Sequence, residues 1–286
     1  MPIEVQRFTS CEPLIALAGG FLGAREAEHN LILGLSSTIA AHPEIYPDHW
    51  FLAASDRGRV VGVAMQTPPQ NVLVSEMDAA VVAPIAAAVA ELGATVPGVL
   101  GPTAVARAFA DQWTARTHTT ASLNLRERIF RIDRVVAPRP VSGTWRIAEE
   151  RDRALLAEWS WAFRLEAIPG VPLRDDRHEM ADRWIRRLSR TIYLWEDGDV
   201  VSLAGAGGET PSGTRIGPVY TPRELRGRGY ASNLVAATTQ HQLDSGRQFC
   251  FLFTDLANPT SNKIYQALGF SPVCDFDQYA FAPVPR

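Results

Sequence analysis

Two arginines and two glycines alternate over residues 226–229, where an apolar strand-like run gives way to a helix-like one. The helical spacing of the second run is given by Ala231, Leu234, Val235 and Thr238. The first N–H groups of a helix lack partners within it and lie at the positive end of its dipole, so they favour a phosphate-sized anion. Glycine lets an anion approach those amides, and arginine adds charged donors. The stretch therefore predicts a pyrophosphate site.

A purely structural interpretation of these residues is also open. Residues 221–224, Thr-Pro-Arg-Glu, form a capping-box pattern with proline at the first helical position. Gly227 would then end that short turn, and both arginines would be solvated surface charges. The loop matches neither the P-loop nor the dinucleotide-binding glycine pattern.

The strand-like run before the loop, "TRIGPVYT", is interrupted by Gly217 and Pro218. Proline cannot donate to a sheet ladder, so it favours an edge or a bulge. A bulge would let the strand diverge from its neighbour and leave backbone groups of residues 219–221 free for an extended ligand that carries amides. An ordinary irregular strand end is the alternative.

Composition excludes several classes of function. The chain has a net charge of −3, which argues against nucleic acid as a general partner. The N-terminus lacks the order of charges and apolar residues of a signal peptide. The alanine-rich stretch from Ala79 contains Pro84 and Glu91 and is too interrupted to span a bilayer. We expect a cytoplasmic protein, monomer or homodimer, with no membrane or nucleic-acid partner.

Cysteine and histidine usage gives no sign of a metal. The chain has three cysteines without CxxC spacing and six scattered histidines without an HExxH pattern. Cys250 lies within an apolar run, where a thiol packs as a small hydrophobic group. We therefore expect a reduced protein with no disulfide framework and no metal site.

Two prolines and a Ser-Gly pair mark a boundary within residues 135–143. We predict an N-terminal domain over 1–136, a linker over 137–143 and a C-terminal domain over 144–286. A short sequence pattern occurs twice, as "GRVVGVA" at 58–64 and as "GDVVSLA" at 198–204, each time with a turn that contains Asp and Gly. Duplication of the domain and coincidence both explain this repeat. The same offset places the counterpart of the glycine loop at residues 86–91, which contain no glycine.

Hydrophobic periodicity predicts a mixed α/β chain whose hairpins exclude a purely parallel sheet. The predicted elements of the first half are helices at 23–39, 80–92 and 103–115, a hairpin at 50–67, and strands at 71–76, 98–101 and 118–134. Those of the second half are helices at 151–167, 175–190, 229–245 and 259–268, a hairpin at 191–208, and strands at 144–148, 214–221, 248–255 and 276–282.

The segment RGRGYA at 226–231 fits the Q/R-x-x-G-x-G/A signature of the GNAT superfamily of acetyl-CoA-dependent N-acetyltransferases. The segment "NPTSNKIYQALGF" after the next strand resembles the second motif of that family. The resemblance covers residues 144–286 and is weaker over 1–136. It implies two GNAT-like domains, each a mixed, centrally splayed sheet flanked by helices, with a degenerate N-terminal one.

The resemblance also implies roles for individual residues. In the family, amides of the loop hold the CoA pyrophosphate, and the splayed strand hydrogen-bonds the pantetheine arm. By position, this assigns acetyl-CoA binding to Val219, Tyr220, Thr221, Arg226, Gly227, Arg228, Gly229, Tyr230, Ala231, Ser232 and Asn258.

Tyr265 matches the tyrosine that often protonates the departing thiolate in the family. A phenol with an ordinary pKa near 10 is protonated at neutral pH and able to donate. A role in packing is the alternative for this tyrosine. The general base is not readable. Glu166 and Glu209 are candidates, His178 is a weaker one, and a water relay would also serve.

The combined expectation is an acyltransferase that moves an acetyl group from acetyl-CoA to the amine of a small-molecule or peptide acceptor. The amine would attack the thioester directly in a ternary complex. Two alternatives are an inactive acyl-CoA-binding sensor or regulatory module, motivated by the missing base, and an unrelated phosphate-binding α/β protein.

Overall fold

The computed structural model of the chain describes residues 3–167 and 174–284. The chain forms two compact units. One, the N-terminal unit, comprises Met1–Phe130, Phe253–Asn262 and Pro272–Arg286, and the other, the C-terminal unit, comprises Arg131–Leu252 and Lys263–Ser271. Each unit is therefore built from separate segments of the sequence. The division of the sequence into domains over 1–136 and 144–286 stays a prediction.

The first half of the chain contains ten helices and strands among the described residues. They are β1 (Glu4–Phe8), α1 (Cys11–Gly23), α2 (Asn30–Ala41), β2 (Trp50–Asp56), β3 (Arg59–Gln66), β4 (Val72–Val74), α3 (Ala79–Glu91), β5 (Gly98–Pro102), α4 (Thr103–Thr117) and β6 (Thr119–Ile132).

The second half repeats the same order of strand and helix. Its elements are β7 (Thr144–Ile147), α5 (Arg153–Ala167), α6 (Arg177–Ile185), β8 (Arg190–Asp197), β9 (Asp199–Gly207), β10 (Gly213–Tyr220), α7 (Tyr230–Asp244), β11 (Phe249–Asp255), α8 (Pro259–Ala267) and β12 (Ser271–Pro283). This repetition agrees with the tandem arrangement that the sequence predicted.

The sheet of the N-terminal unit has the strand order β1-β2-β3-β4-β5-β12-β6. Strands β4 and β5 are parallel, whereas β5 and β12 are antiparallel. Successive residues of β2 point to opposite faces of this sheet. Trp50 and Leu52 pack with α3 and α4, and Phe51 and Ala53 pack with α1 and α2. Because both faces are covered, β2 reads as a continuous apolar run.

The C-terminal unit has the strand order β7-β8-β9-β10-β11. The pair β10 and β11 is parallel, and the other neighbouring pairs are antiparallel. Its core includes Leu156 of α5, Trp184 of α6 and Leu203 of β9. The predicted mixed α/β fold class is thus confirmed.

Two local predictions in the first half are wrong. The helix predicted at 23–39 corresponds to α2 alone, because residues 24–29 form turns, and α1 over Cys11–Gly23 was not predicted. The overlooked helix has a clear signal, since Leu14, Ala18 and Leu22 recur every four residues and are fully buried. Residues 86–91 lie inside α3, so the strand-to-helix junction that matches the glycine loop is instead the short segment 75–78. That segment also lacks glycine.

Candidate functional site

Strand β10 contains the predicted bulge. Its ladder with β9 pairs Ile216 with Ala206 and then Val219 with Ala204. Three residues of β10 therefore advance against two of β9, which is the count of a β-bulge. The irregularity lies at Gly217 and Pro218, where the proline removes a ladder donor.

Beyond the start of β10, the sheet opens. Strand β10 pairs with β11 over residues 213–215 opposite 249–251, and no pair of described residues continues that ladder along 216–220. The divergence predicted from Gly217 and Pro218 is therefore present. It leaves one edge of β10 without a strand partner, as an extended ligand with amides of its own would require.

The end of β10 is held from the opposite side by Ser202 of β9. The hydroxyl of Ser202 lies 2.8 Å from the Thr221 hydroxyl and donates to the Tyr220 carbonyl at 3.2 Å. The Tyr220 ring packs edge-on against Trp159 of α5 at 5.7 Å between centroids. Val219 is half-buried. These contacts hold in place Tyr220 at the end of β10 and Thr221 just after it, two of the residues that were predicted to bind the ligand.

The loop after β10 begins with a 3-10 turn over Arg223–Leu225, so the short turn predicted there exists. The predicted capping box does not form, because Pro222 occupies the cap position. Gly227 then adopts φ of 76° and Gly229 adopts φ of 87°, both in the left-handed region. Glycine enters this region without steric cost, which explains the two glycines of the motif.

Helix α7 begins at Tyr230 with no side-chain cap. The N–H groups of residues 227–232 have no hydrogen-bond acceptor among the residues that the structure describes. The Asn233 N–H is the first to bond back, to the Gly229 carbonyl at 3.1 Å. A run of unpaired N–H groups at the positive end of a helix dipole is suited to bind an anion.

The predicted linker packs against this loop. A Cβ on Gly229 would lie only 2.9 Å from Cγ1 of Val141, so the linker leaves no room for a larger residue there. The side-chain amide of Asn233 donates to the carbonyls of Arg139 and Gly229, each at 3.0 Å. By contrast, a Cβ on Gly227 would meet no atom within 4 Å.

The two arginines of the motif differ in their partners. Arg226 donates to the Thr221 carbonyl at 2.8 Å and to Glu166 at 2.7 Å, and Arg223 donates to the same carboxylate at 3.2 Å. Arg228 is exposed and donates to the Glu224 carbonyl at 3.2 Å, but none of the described carboxylates pairs with it. Arg228 is therefore the guanidinium of the loop that is available to a ligand.

The side chain of Tyr230 is engaged in a hydrogen bond, so only its backbone N–H is open to a ligand. The phenol donates to Asp197 at 2.7 Å, and Asp197 also accepts from Ser142 at 2.7 Å. The indole of Trp195 donates to the Ser142 carbonyl at 2.8 Å. This cluster joins the β8–β9 turn, the linker and the start of α7, and it therefore anchors the end of the loop at Tyr230.

Asn258 caps α8 by accepting the Ser261 N–H at 3.1 Å. Tyr265 lies on the same helix, with its ring edge-on to Phe270 at 5.9 Å. The side chain of Tyr265 is half-buried, and loss of hydration around its phenol raises the pKa to about 12. None of the side-chain hydrogen bonds between described residues on this helix involves its hydroxyl. A protonated phenol without an acceptor is able to donate to a leaving group.

The two candidate bases are both in ion pairs. Partial burial raises the pKa of Glu166, but the hydrogen bonds from Arg226 and Arg223 outweigh it and hold the pKa below its usual range. Glu209 is exposed after the end of β9, and it accepts from Arg247 at 2.5 Å. The lowered pKa makes Glu166 a weak base, and the catalytic role of both carboxylates stays a prediction.

Sequence reasoning missed the residues that hold the loop in place, namely Val141, Asn233 and Asp197. They are separated by up to about a third of the chain, so no spacing signal joins them. Among the described residues, no group of three or more His, Cys, Asp or Glu side chains is arranged to hold a metal. No described helix is long and apolar enough to cross a bilayer.

A family model described as FR47-like protein matches residues 195–279. No curated protein matches the sequence.

Several solved structures share the fold over almost the whole chain. A GCN5-related N-acetyltransferase from Sphaerobacter thermophilus has a TM-score of 0.58 at 15% identity, covering 99% of this chain and 98% of its own. A GNAT-family acetyltransferase from Colwellia psychrerythraea has a TM-score of 0.57 at 14% identity, covering 98% and 100%. A tandem GNAT protein from the clavulanic acid biosynthesis pathway has a TM-score of 0.57 at 13% identity, covering 99% of each chain.

The repeated order of elements, the splayed strand and the glycine loop at the start of α7 agree with these likenesses. The chain has the fold of a tandem GNAT protein, and the resemblance to the GNAT superfamily that residues 226–231 predicted is confirmed.

Proposed function

We propose that the C-terminal half of the chain is an acetyl-CoA-dependent N-acetyltransferase. The observation that carries the proposal is the run of unpaired N–H groups at residues 227–232, next to the open edge of β10. The names of the similar structures, which include N-acetyltransferases of the GNAT family, support the same class of reaction.

The loop would bind the pyrophosphate of the donor through these N–H groups, with Arg228 as an additional cation. Each charge-assisted hydrogen bond contributes about 1.5–3 kcal/mol. A Cβ on Gly227 would meet no atom within 4 Å, so no neighbouring side chain would hold a diphosphate away from the N–H groups at that position. The open edge of β10 would hold the amide-bearing arm of the same molecule.

Acetyl-CoA supplies the activated acyl group as a thioester. An N–H group of the splayed strand near Val219 would polarise the thioester carbonyl, because a fixed donor stabilises negative charge as it develops on that oxygen. The acceptor amine attacks the carbonyl carbon, and Tyr265 donates its proton to the departing sulfur. Because burial raises the pKa of Tyr265 to about 12, the phenol keeps this proton at neutral pH.

The base that takes the proton of the acceptor ammonium is the open part of the mechanism. Glu166 is paired with Arg226 and Arg223, so its lowered pKa makes it a weak base. Water between the acceptor and a more distant carboxylate is therefore our preferred route. The acceptor itself is an amine of a small molecule or a peptide.

The test is release of free CoA from acetyl-CoA in the presence of a panel of primary amines, followed with a thiol reagent. We expect release above the rate of hydrolysis with at least one amine, and an acetylated product by mass spectrometry. Saturable binding of acetyl-CoA without turnover on any amine would favour an acyl-CoA sensor. Binding of ATP but not CoA would refute the proposal.

A further inference from the structure

The N-terminal unit contains a cavity of about 670 Å³ that the proposed reaction does not use. It lies between α1 with the turn after it, the start of β3, and the segment between β4 and α3. Its volume is within the range of sites that bind small molecules, about 300–1,000 Å³.

Four charged side chains line this cavity, two cationic and two anionic. Arg25 follows α1, Arg59 begins β3, and Glu76 and Asp78 lie just before α3. None of the four forms an ion pair or a side-chain hydrogen bond with any described residue. By contrast, arginines elsewhere in the chain, such as Arg128, Arg146 and Arg153, are paired with carboxylates.

The fifth titratable group of the cavity is neutral. His29 is only 2% exposed, and burial lowers its pKa below the usual range. Its Nδ1–H donates to the Leu22 carbonyl at 3.0 Å, and its Nε2 accepts the Glu76 N–H at 3.4 Å. His29 therefore ties the end of α1 to the segment before α3, and the cavity carries two positive and two negative charges in balance.

The remaining wall of the cavity is apolar. Phe21 stacks on the His29 ring at 5.3 Å, and Met77 and Val61 form another part of the wall. Gly62 lets Met77 approach, because a Cβ there would lie 3.1 Å from both the sulfur and the terminal methyl of Met77. Leu17 lines the cavity although its side chain is 42% exposed.

The charge pattern selects between ligand classes. A phosphate or a nucleotide would be attracted by Arg25 and Arg59 but repelled by Glu76 and Asp78. A simple cation would be attracted by the two carboxylates but repelled by the two arginines. A molecule with one carboxylate and one ammonium satisfies both pairs, and an apolar body can cover Phe21 and Met77. We propose that this cavity is a second ligand site, which binds a small zwitterion of the amino-acid or dipeptide class.

The site does not depend on the proposed acetyltransferase activity, because its test measures binding and not turnover. The full-length chain is titrated calorimetrically with L-phenylalanine and with the dipeptide Leu-Phe. The single-charge analogues 3-phenylpropanoate and 2-phenylethylamine are titrated in parallel. We expect saturable binding of at least one zwitterion, and affinities about tenfold or more weaker for both analogues, because each lacks one charge-assisted contact.

Variants locate the binding. Arg59→Gln and Glu76→Gln should each weaken zwitterion binding by about tenfold or more. Arg57→Gln is the matched control, since Arg57 lies in the same hairpin turn, carries the same charge and does not line the cavity. Unfolding curves confirm that the variants are folded.

Three results would overturn the proposal: no saturable binding of either zwitterion, equal binding of a single-charge analogue, or unchanged affinity in both glutamine variants. The analogue comparison uses the unmodified chain, so it decides the matter even where a variant is unstable.

Discussion

Replacing Gly229 with Asp tests the loop most directly. A residue other than glycine at φ of 87° costs about 1–2 kcal/mol, and its Cβ would lie 2.9 Å from Val141. The new carboxylate would also occupy the N–H groups at the start of α7, as an aspartate cap does. If two charge-assisted bonds to the pyrophosphate are lost, binding weakens by about 3–6 kcal/mol, which is about 150-fold or more.

The assay is calorimetric titration of the full-length chain with CoA. Gly246→Asp is the matched control, because Gly246 also has positive φ, 97°, and follows the opposite end of α7. It introduces the same charge and a similar backbone penalty away from the N–H groups, so the Kd for CoA should stay unchanged. The reasoning is refuted if folded Gly229→Asp binds CoA as tightly as the unmodified chain.

The further predictions concern Tyr265, Glu166 and Asp152. Tyr265→Phe should lower kcat by about 100-fold or more with little change in CoA binding; an unchanged kcat would assign Tyr265 to packing. Since the pKa of Tyr265 is raised to about 12, kcat should show no loss of a general acid near pH 10. A decline near pH 10 that Tyr265→Phe abolishes would contradict the raised pKa. Glu166→Gln should keep turnover within a few-fold, because Arg226 and Arg223 already suppress the basicity of Glu166; a loss of about 100-fold would identify Glu166 as the base. Asp152→Asn should lower the free energy of unfolding by about 1.5–3 kcal/mol near pH 7, since Arg146 loses its bidentate partner and keeps only Glu196. The hydrogen bond from Arg146 lowers the pKa of Asp152, so this stabilisation is present above the unfolded pKa near 4 and is lost as pH falls through the folded pKa. Urea unfolding of the unmodified chain and of Asp152→Asn, at pH 7 and at a pH below the folded pKa of Asp152, measures this stabilisation. A difference in unfolding free energy that persists at the lower pH would count against the ion pair.

The features of the site that the sequence predicted are those with local causes. Proline at 218 cannot complete a ladder, glycines at 227 and 229 permit positive φ, and the apolar spacing from Leu234 to Thr238 places the start of α7. Each cause acts within a few residues of its effect, so the bulge, the loop and the helix could be inferred before the structure was known.

The features that the sequence did not predict depend on contacts between distant segments. The pairing of Glu166 with Arg226 determines whether either is available for chemistry, and it joins α5 to the loop. The packing of Val141 on Gly229 is equally non-local. Helix α1 is a different case, because the spacing of Leu14, Ala18 and Leu22 indicates a helix from the sequence alone.

The position of β12 in the N-terminal sheet determines when that sheet can be completed during synthesis of the chain. Residues 276–280 of this strand pair with β5, and the strand lies between β5 and β6 in the N-terminal sheet. The ribosome translates these residues after all of the other strands, so the nascent first half waits with an open edge on β5. Such an edge invites pairing with other chains. The half that is synthesised first therefore cannot complete its sheet until the last of the described strands has been made.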